Sequence, residues 1–263
     1  MKIPFASWYP AIGTRESRRQ FNSFQPLSAE ILSNLKLTCE EFRPFPEARV
    51  ELITERPDKI FNFIFGSYGF IRNPTATLAF IGDIRQPHVQ EAVGYTGEGV
   101  ILEATALGVG TCWVAGFFNP AAAAQQLHLA SFESVLAVSP LGYSPFEKTL
   151  GEKALKGFAS NRKRKPISEL VSGLPEKDWQ PWIKPALEAA RIAPSATNRQ
   201  PWMFTIQDNS ITLANDPGKL DFKVSKRLDC GIAMLHIEIS ALNSNVRGKW
   251  TFLDPPLIAR FSY

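Results

Sequence analysis

Polar and apolar positions alternate from Arg49 to Thr54 (RVELIT), the period-two pattern of a half-buried strand. Thr77 to Ile81 (TLAFI) and Val135 to Val138 are short apolar runs that predict buried strands. Trp202 to Gln207 and Ile211 to Ala214 predict a hairpin turning at Asp208-Asn209-Ser210. Other stretches follow the helical period. Ser28 opens SAEILSNLKL with Glu30 in its first turn. Gly97 to Leu107 carries Val100, Ile101, Ala104 and Leu107 on one stripe, and Gly108 follows as a stop. Trp179 to Ile192 reads as a helix halted by Pro194, and Asp229 to Leu242 as a second long striped helix. Helices and strands mix without strict alternation, so the expected class is α+β.

The most polar break is Asn161 to Lys165 (NRKRK), followed by Pro166. It divides the chain into residues 1–160 and residues 161–263. The two parts resemble each other. ILSNLKLTCEEFRPFPEARVELI lies over IKPALEAARIAPSATNRQPWMFTI, each reading as helix, proline-containing loop and strand. GYTGEGVILEATALG lies over DCGIAMLHIEISALN, with Gly94 set against Asp229. This points to an internal duplication.

Composition narrows the field. The chain has 263 residues, 44% hydrophobic and 21% charged, enough for a large core without staples. The net charge of +4 suits an anionic small molecule and does not by itself imply a polyanion. Three scattered cysteines and three scattered histidines argue against a metal centre or a dithiol motif. A reducing, cytoplasmic setting is expected. No apolar h-region opens the chain, and no run approaches the ~18 apolar residues of a membrane span. No membrane or nucleic-acid partner is expected, since no aromatic-interleaved basic stripe accompanies the charge.

Four segments carry candidate chemistry. APSATNRQPW (Ala193 to Trp202) leaves a helix and offers Ser195, Thr197 and Asn198, which can hold a polar planar ligand or a ribityl chain. Taken alone it reads first as a polar turn that caps its own backbone. In RESRR, Arg15, Ser17 and Arg19 face one way if the segment is extended, which makes a phosphate clamp or a solvated basic arm. NRKRK, with Arg162 and Arg164, reads by default as a solvated linker, and its charge also suits a phosphate or nucleic acid. GVGTCWVAGF (Gly108 to Phe117) lacks the strand-before-helix setting of a dinucleotide fingerprint and the Walker lysine, but its glycines allow close backbone approach to a ring. No Ser-His-Asp set or carboxylate pair stands out, and Glu103 reads as a helix-face residue.

Together, and in this order, the segments resemble the nitroreductase family of FMN-dependent oxidoreductases. Its Arg-x-Ser-x-Arg segment is matched by Arg15, Ser17 and Arg19. Its Pro-Ser-x-x-Asn-x-Gln-Pro-Trp segment is matched by Pro194, Ser195, Asn198, Gln200, Pro201 and Trp202. Its Leu-Gly-x-Gly-x-x-Trp-x-x-Gly-Phe turn is matched by Leu107, Gly108, Gly110, Trp113, Gly116 and Phe117, and its basic tail by Arg162, Arg164 and Pro166. One departure is informative. Where ordinary members place the Pro-Ser-x-x-Asn wall, this chain has EEFRPFPEAR (Glu40 to Arg49); the intact wall comes in the second part. Ordinary members are homodimers whose two FMN sites each use both subunits, so the resemblance implies a single chain that mimics the dimer and keeps one site.

The resemblance implies a nitroreductase-like fold of two related halves packed as an intrachain pseudo-dimer, each with a mainly antiparallel sheet flanked by helices. A monomer is compatible with it. It implies that Arg15, Arg19 and Arg164 bind the FMN phosphate, helped by Arg162, and that Ser17 bonds the phosphate or ribityl region. Pro194, Ser195, Thr197 and Asn198 line the ribityl chain and ring edge. Trp113, Val114, Ala115 and Gly116 lie beside the isoalloxazine, and Tyr68 and Gly69 approach its pyrimidine edge. It further implies hydride transfer from NADH or NADPH to flavin and on to a small organic acceptor, with no catalytic side chain because the flavin carries the chemistry. The alternative is a non-catalytic FMN-binding redox sensor or flavin store.

Overall fold

A computed structural model describes residues 1–61, 71–144, 163–217 and 224–263. Among the described residues the elements run α1 (Phe5–Thr14), α2 (Ala29–Glu41), β1 (Ala48–Ile53), β2 (Ala76–Asp83), α3 (Val89–Ala106), β3 (Gly110–Thr111), α4 (Pro120–Ala124) and β4 (Glu133–Gly142). They continue with β5 (Val171–Gly173), α5 (Ile183–Arg191), β6 (Trp202–Gln207), β7 (Ser210–Asn215), α6 (Lys226–Asn243), β8 (Lys249–Phe252) and β9 (Leu257–Ser262).

The fold is α+β and the same topology occurs twice. Elements α2-β1-β2-α3-β3-β4 are followed by α5-β6-β7-α6-β8-β9, with α4 inserted between β3 and β4. The first sheet has strand order β1-β2-β4-β3 and the second β5-β6-β7-β9-β8, so the repeated strands take the same order in both. Every pairing is antiparallel except β5 with β6, where Val171 faces Phe204. β5 comes from the segment that trails the first repeat and adds to the sheet of the second.

The long helices α3 and α6 form the most extensive helix–helix contact, and α1 packs against both. Their crossing is closer than side chains allow. A Cβ built on Gly94 would stand 2.1 Å from the Leu228 carbonyl oxygen, and one on Gly231 would stand 2.1 Å from that of Glu91. Glycine at both positions is therefore a packing requirement. The two contacts are mirror statements of each other. One constant sequence spacing carries Val89, Glu91, Gly94 and Ala106 onto Lys226, Leu228, Gly231 and Asn243. The same spacing relates the turns that end both helices: Val109 N–H donates to Ala104 O and Val246 N–H to Ala241 O, each at 2.8 Å. The expected alignment of Gly94 with Asp229 is thus corrected by two residues, to Gly94 with Gly231.

One main core spans both repeats. It includes Trp8, Phe42 and Phe80 from the first and Trp202, Phe204 and Phe261 from the second. Each is nearly or fully buried, worth about 1.5–3 kcal/mol per large apolar side chain. α2 begins as expected, with Ser28 Oγ accepting Ile31 N–H. α3 begins at Val89 rather than Gly97: its glycines depress local helix propensity, and burial on nearly all sides restores it. α5 starts at Ile183 rather than Trp179, because Glu176–Asp178 forms a separate 3-10 turn. No described helix is long and apolar enough to cross a membrane.

Candidate functional site

α1 ends at Thr14, and Arg15 leaves it in extended conformation. The next residues thread beside the glycine-rich turn. Ser17 bridges Thr111, Arg18 N–H donates to Thr111 O at 2.7 Å, and Gln20 bridges Arg72. Arg19 O accepts Arg72 N–H at 2.8 Å. Within this segment Arg18 pairs with Glu16 at 3.2 Å.

Arg164 arrives from the segment after the first repeat. Its guanidinium donates to the carbonyls of Ala193 (2.8 Å) and Ile192 (2.9 Å), the end of α5. A cation there complements the negative helix end. Burial pushes the Arg164 pKa down to about 10, and the nearby positive charges of Arg15 and Arg191 push the same way. Arg191 itself pairs with Glu188. The Nη1 of Arg15 is buried and has no hydrogen-bond partner among the described residues. Half-buried cations that repel one another, with a buried donor left unused, form a site that favours an anion. Guanidinium forks fit the oxygens of a phosphate.

The wall from Ala193 to Gln200 starts where Arg164 binds. Thr197, Asn198 and Gln200 have φ of 53°, 56° and 47°, the left-handed region, at about 1–3 kcal/mol each for such residues. The surroundings hold that shape. Gln200 N–H donates to Ser195 Oγ at 3.0 Å. Asp229, in the first turn of α6, accepts Ala196 N–H at 3.1 Å and Arg199 Nε at 2.8 Å. Asn198 Nδ2 and Gln200 Nε2 both donate to Lys163 O at 3.1 Å, and Lys165 N–H donates to Gln200 Oε1 at 2.8 Å. The wall and the basic segment Lys163–Lys165 are therefore one hydrogen-bonded unit. Pro194 is buried, Ser195 and Asn198 are half-buried and Thr197 is exposed.

The glycine-rich turn meets the Arg15–Arg19 segment at Thr111. Gly108 has φ of +76° and ends α3. Cys112 N–H donates to Ser139 Oγ, and Val114 exchanges two backbone bonds with Val138, which fixes the turn against β4. The Trp113 indole does not face outward. It donates to Glu98 Oε2 at 2.7 Å and lies over Phe80 at 4.2 Å. Gly97 leaves room for it, since a Cβ there would stand 2.6 Å from the indole. Beyond Trp113, Ala115 lines a cleft of about 230 Å³ with Phe118, Leu136, Leu228, Gln90 and Ser225.

The repeat relation identifies this cleft's counterpart. Gln90, Ala115, Ser225 and Leu228 correspond to Arg227, Phe252, His88 and Glu91. Those four do not line a cleft. Phe252 stacks on His88 at 4.6 Å and 7°, Arg227 pairs with Glu91 and lies 3.3 Å from His88 Nδ1. Phe45, from the loop that takes the place of the Ser195–Asn198 wall, packs on Phe252 at 5.3 Å and on Tyr95 at 5.1 Å. One side is open and the other is filled.

The structure thus brings Arg15 and Arg164 to Ala193, where the Pro194–Asn198 wall begins, and joins Ser17, two residues after Arg15, to the glycine-rich turn through Thr111. Arg19 lies farther along the same strand, beside Arg72. Val114 and Gly116 are half-buried in the turn. Tyr68, Gly69 and Arg162 lie outside the described residues. The sequence reading gives no site role to Arg191, Gln200 or Asp229. Gln200 lay in plain view within its motif, whereas nothing local ties Asp229 to Ala196. No group of His, Cys, Asp and Glu suited to a metal occurs among the described residues.

Two sheet-and-helix repeats with this constellation between them have the architecture of a nitroreductase. A family model described as "Putative TM nitroreductase" matches residues 7–241, and the chain belongs to that family. No curated protein sequence matches it. Among solved structures, a "putative nitroreductase" of Thermotoga maritima aligns over 97% of this chain and 93% of its own, with TM-score 0.65 and 18% identity, a likeness of fold. A nitroreductase family protein of Clostridium difficile aligns over 65% of this chain and 97% of its own at 20% identity and TM-score 0.44. A nitroreductase with bound FMN from Bacteroides fragilis aligns over 54% and 91% at 16% identity and TM-score 0.42.

Proposed function

We propose that the chain binds one FMN between its repeats and acts as an NAD(P)H-dependent oxidoreductase on a small organic acceptor such as a nitroaromatic, a quinone or an activated alkene. The observation that carries this is the half-buried, mutually repelling pair Arg15 and Arg164: Arg164 is held at the end of α5, and Arg15 keeps a buried, unused donor. These two, with Arg19, hold the phosphate, and Ser17 adds its hydroxyl. Pro194, Ser195, Thr197 and Asn198 form the wall along the ribityl chain and ring edge, and Trp113, Val114, Ala115 and Gly116 offer backbone beside the ring. Arg162, Tyr68 and Gly69 complete the set that the motif order suggests.

When bound, FMN supplies hydride transfer at its N5. The protein's part is to orient and to exclude water. The bonds to Asp229 and Lys163 keep the wall in its strained shape, and the tie to Glu98 keeps the turn in place. Positive charge from the arginines favours the anionic state of a ligand held there. The filled counterpart around Phe252 supports one site per chain.

A visible spectrum of the purified protein tests the binding, and stopped-flow mixing with NADH or NADPH tests the reaction. Bound-flavin absorbance bleached within seconds supports the proposal. A chain that takes up no added FMN, or bound flavin reduced only over hours, contradicts it.

A further inference from the structure

Glu98 and His236 form a fully buried pair across the α3–α6 interface, 3.0 Å from Oε1 to Nε2. Glu98 belongs to the first repeat and His236 to the second. His236 Nδ1 lies 2.9 Å from Ala189 O of α5. A carbonyl only accepts, so Nδ1 carries a hydrogen. At the other end, the Trp113 indole only donates, so Glu98 Oε2 accepts. One proton is left to be shared between Nε2 and Oε1. Imidazolium with carboxylate, or imidazole with carboxylic acid, leaves the pair neutral overall.

The result is an unbroken chain from the α5 backbone through His236 and Glu98 to Trp113. Every polar atom along it has a partner, as a buried network requires. The chain is one-sided. The positions that correspond to Glu98 and His236 in the other repeat are Leu235 and Gly99, which cannot form it. On the other side Trp250, which corresponds to Trp113, lies beside Glu238, whose Oε2 accepts the Tyr95 hydroxyl instead of meeting a histidine. α5 leads directly into the Pro194–Asn198 wall, so the chain also ties the wall-bearing helix to the turn at Trp113.

We propose that Glu98 and His236 are positioning residues: they hold Trp113, and with it the turn Trp113–Gly116, in the orientation that receives the flavin ring. This rests on the FMN reading above. It makes no claim on the chemical step.

The test is a double-mutant cycle on FMN affinity in the full chain, with folding followed by thermal unfolding. Glu98→Leu removes the acceptor. Trp113→Phe removes the donor at the half-buried end. Each weakens FMN binding by roughly tenfold, about 1.4 kcal/mol, and the double variant is no weaker than either single one. Glu98→Gln is the rescue, because its carbonyl accepts the indole N–H and its amide donates to His236 Nε2. It restores affinity to within about threefold of the original, under 1 kcal/mol. Additive losses, or a Glu98→Gln chain as weak as Glu98→Leu, overturn the proposal. If Glu98→Leu does not fold, Trp113→Phe decides, and unchanged affinity in that variant overturns it. Failure of the original chain to bind FMN is a different outcome and sinks the functional reading. The Trp113 indole proton resonance then tests the link by itself: Glu98→Gln keeps it near its original low-field position, and an unmoved resonance in Glu98→Leu overturns the link.

Discussion

Ala115 and Phe252 hold equivalent places in the two repeats, and only Phe252 fills the space before it. Ala115 borders an open cleft, while Phe252 lies flat on His88 and touches Phe45. The difference of one side chain is that between a methyl group and a ring. Ala115→Phe is therefore expected to close the remaining cleft. FMN titration should show affinity lowered by at least about tenfold, or 1.4 kcal/mol, with little change in thermal stability. Unchanged affinity would separate the cleft from the cofactor.

Arg164 gives a pH prediction. Its pKa in the free chain is lowered to about 10, below the value of an unfolded chain. Between those two values the unfolded state binds more protons, so this group's contribution to stability rises with pH through that window. Below about 10 the charge is a burden, and a bound phosphate relieves it. FMN affinity is expected to fall as pH rises past about 10, more steeply in the original chain than in Arg164→Gln. Parallel profiles for the two would remove Arg164 from the phosphate site.

Asp229 holds the wall from within the core. Asp229→Ala leaves the Arg199 guanidinium buried without its carboxylate and frees Ala196 N–H. Breaking one partner of a buried pair costs about 3–5 kcal/mol. Denaturant unfolding of the cofactor-free chain should register that loss. A cost within the scatter of surface substitutions would show that the pair does not brace the loop.

The crossing of α3 and α6 predicts a symmetric effect. Gly94→Ala and Gly231→Ala each force a methyl group into the backbone carbonyl of the opposite helix. Overpacking of this kind costs about 1–3 kcal/mol. Both variants should lower the thermal midpoint by similar amounts. A loss confined to one of them would argue against an equivalent crossing.

Much of this was legible in the sequence because it is written locally. The strand periods at Arg49–Thr54 and Thr77–Ile81, the Ser28 cap and the hairpin around Asp208 need only near neighbours. The order of Arg15, Ser17 and Arg19, the glycine-rich turn and Pro194–Asn198 pointed to a family. What stayed hidden is set by tertiary contact. α1 carries Pro10 and no side-chain cap, and it forms because Trp8, Ala11 and Ile12 pack on the core. The true register of the repeats is fixed by the glycine crossing, which only the packed helices reveal. Asp229 and Ala196 are separated along the chain and joined through the fold, as are Glu98 and His236. The filled counterpart around Phe252 has no signal in its own segment.

FMN stoichiometry tests the central claim most directly. Equilibrium titration of the purified chain, with bound flavin counted against protein, should give one FMN per chain. The same count should hold in Phe252→Ala, since the filled side lacks the arginine clamp and the Ser/Asn wall. Two FMN per chain would contradict the account, because both faces of the repeat pair would then be working sites.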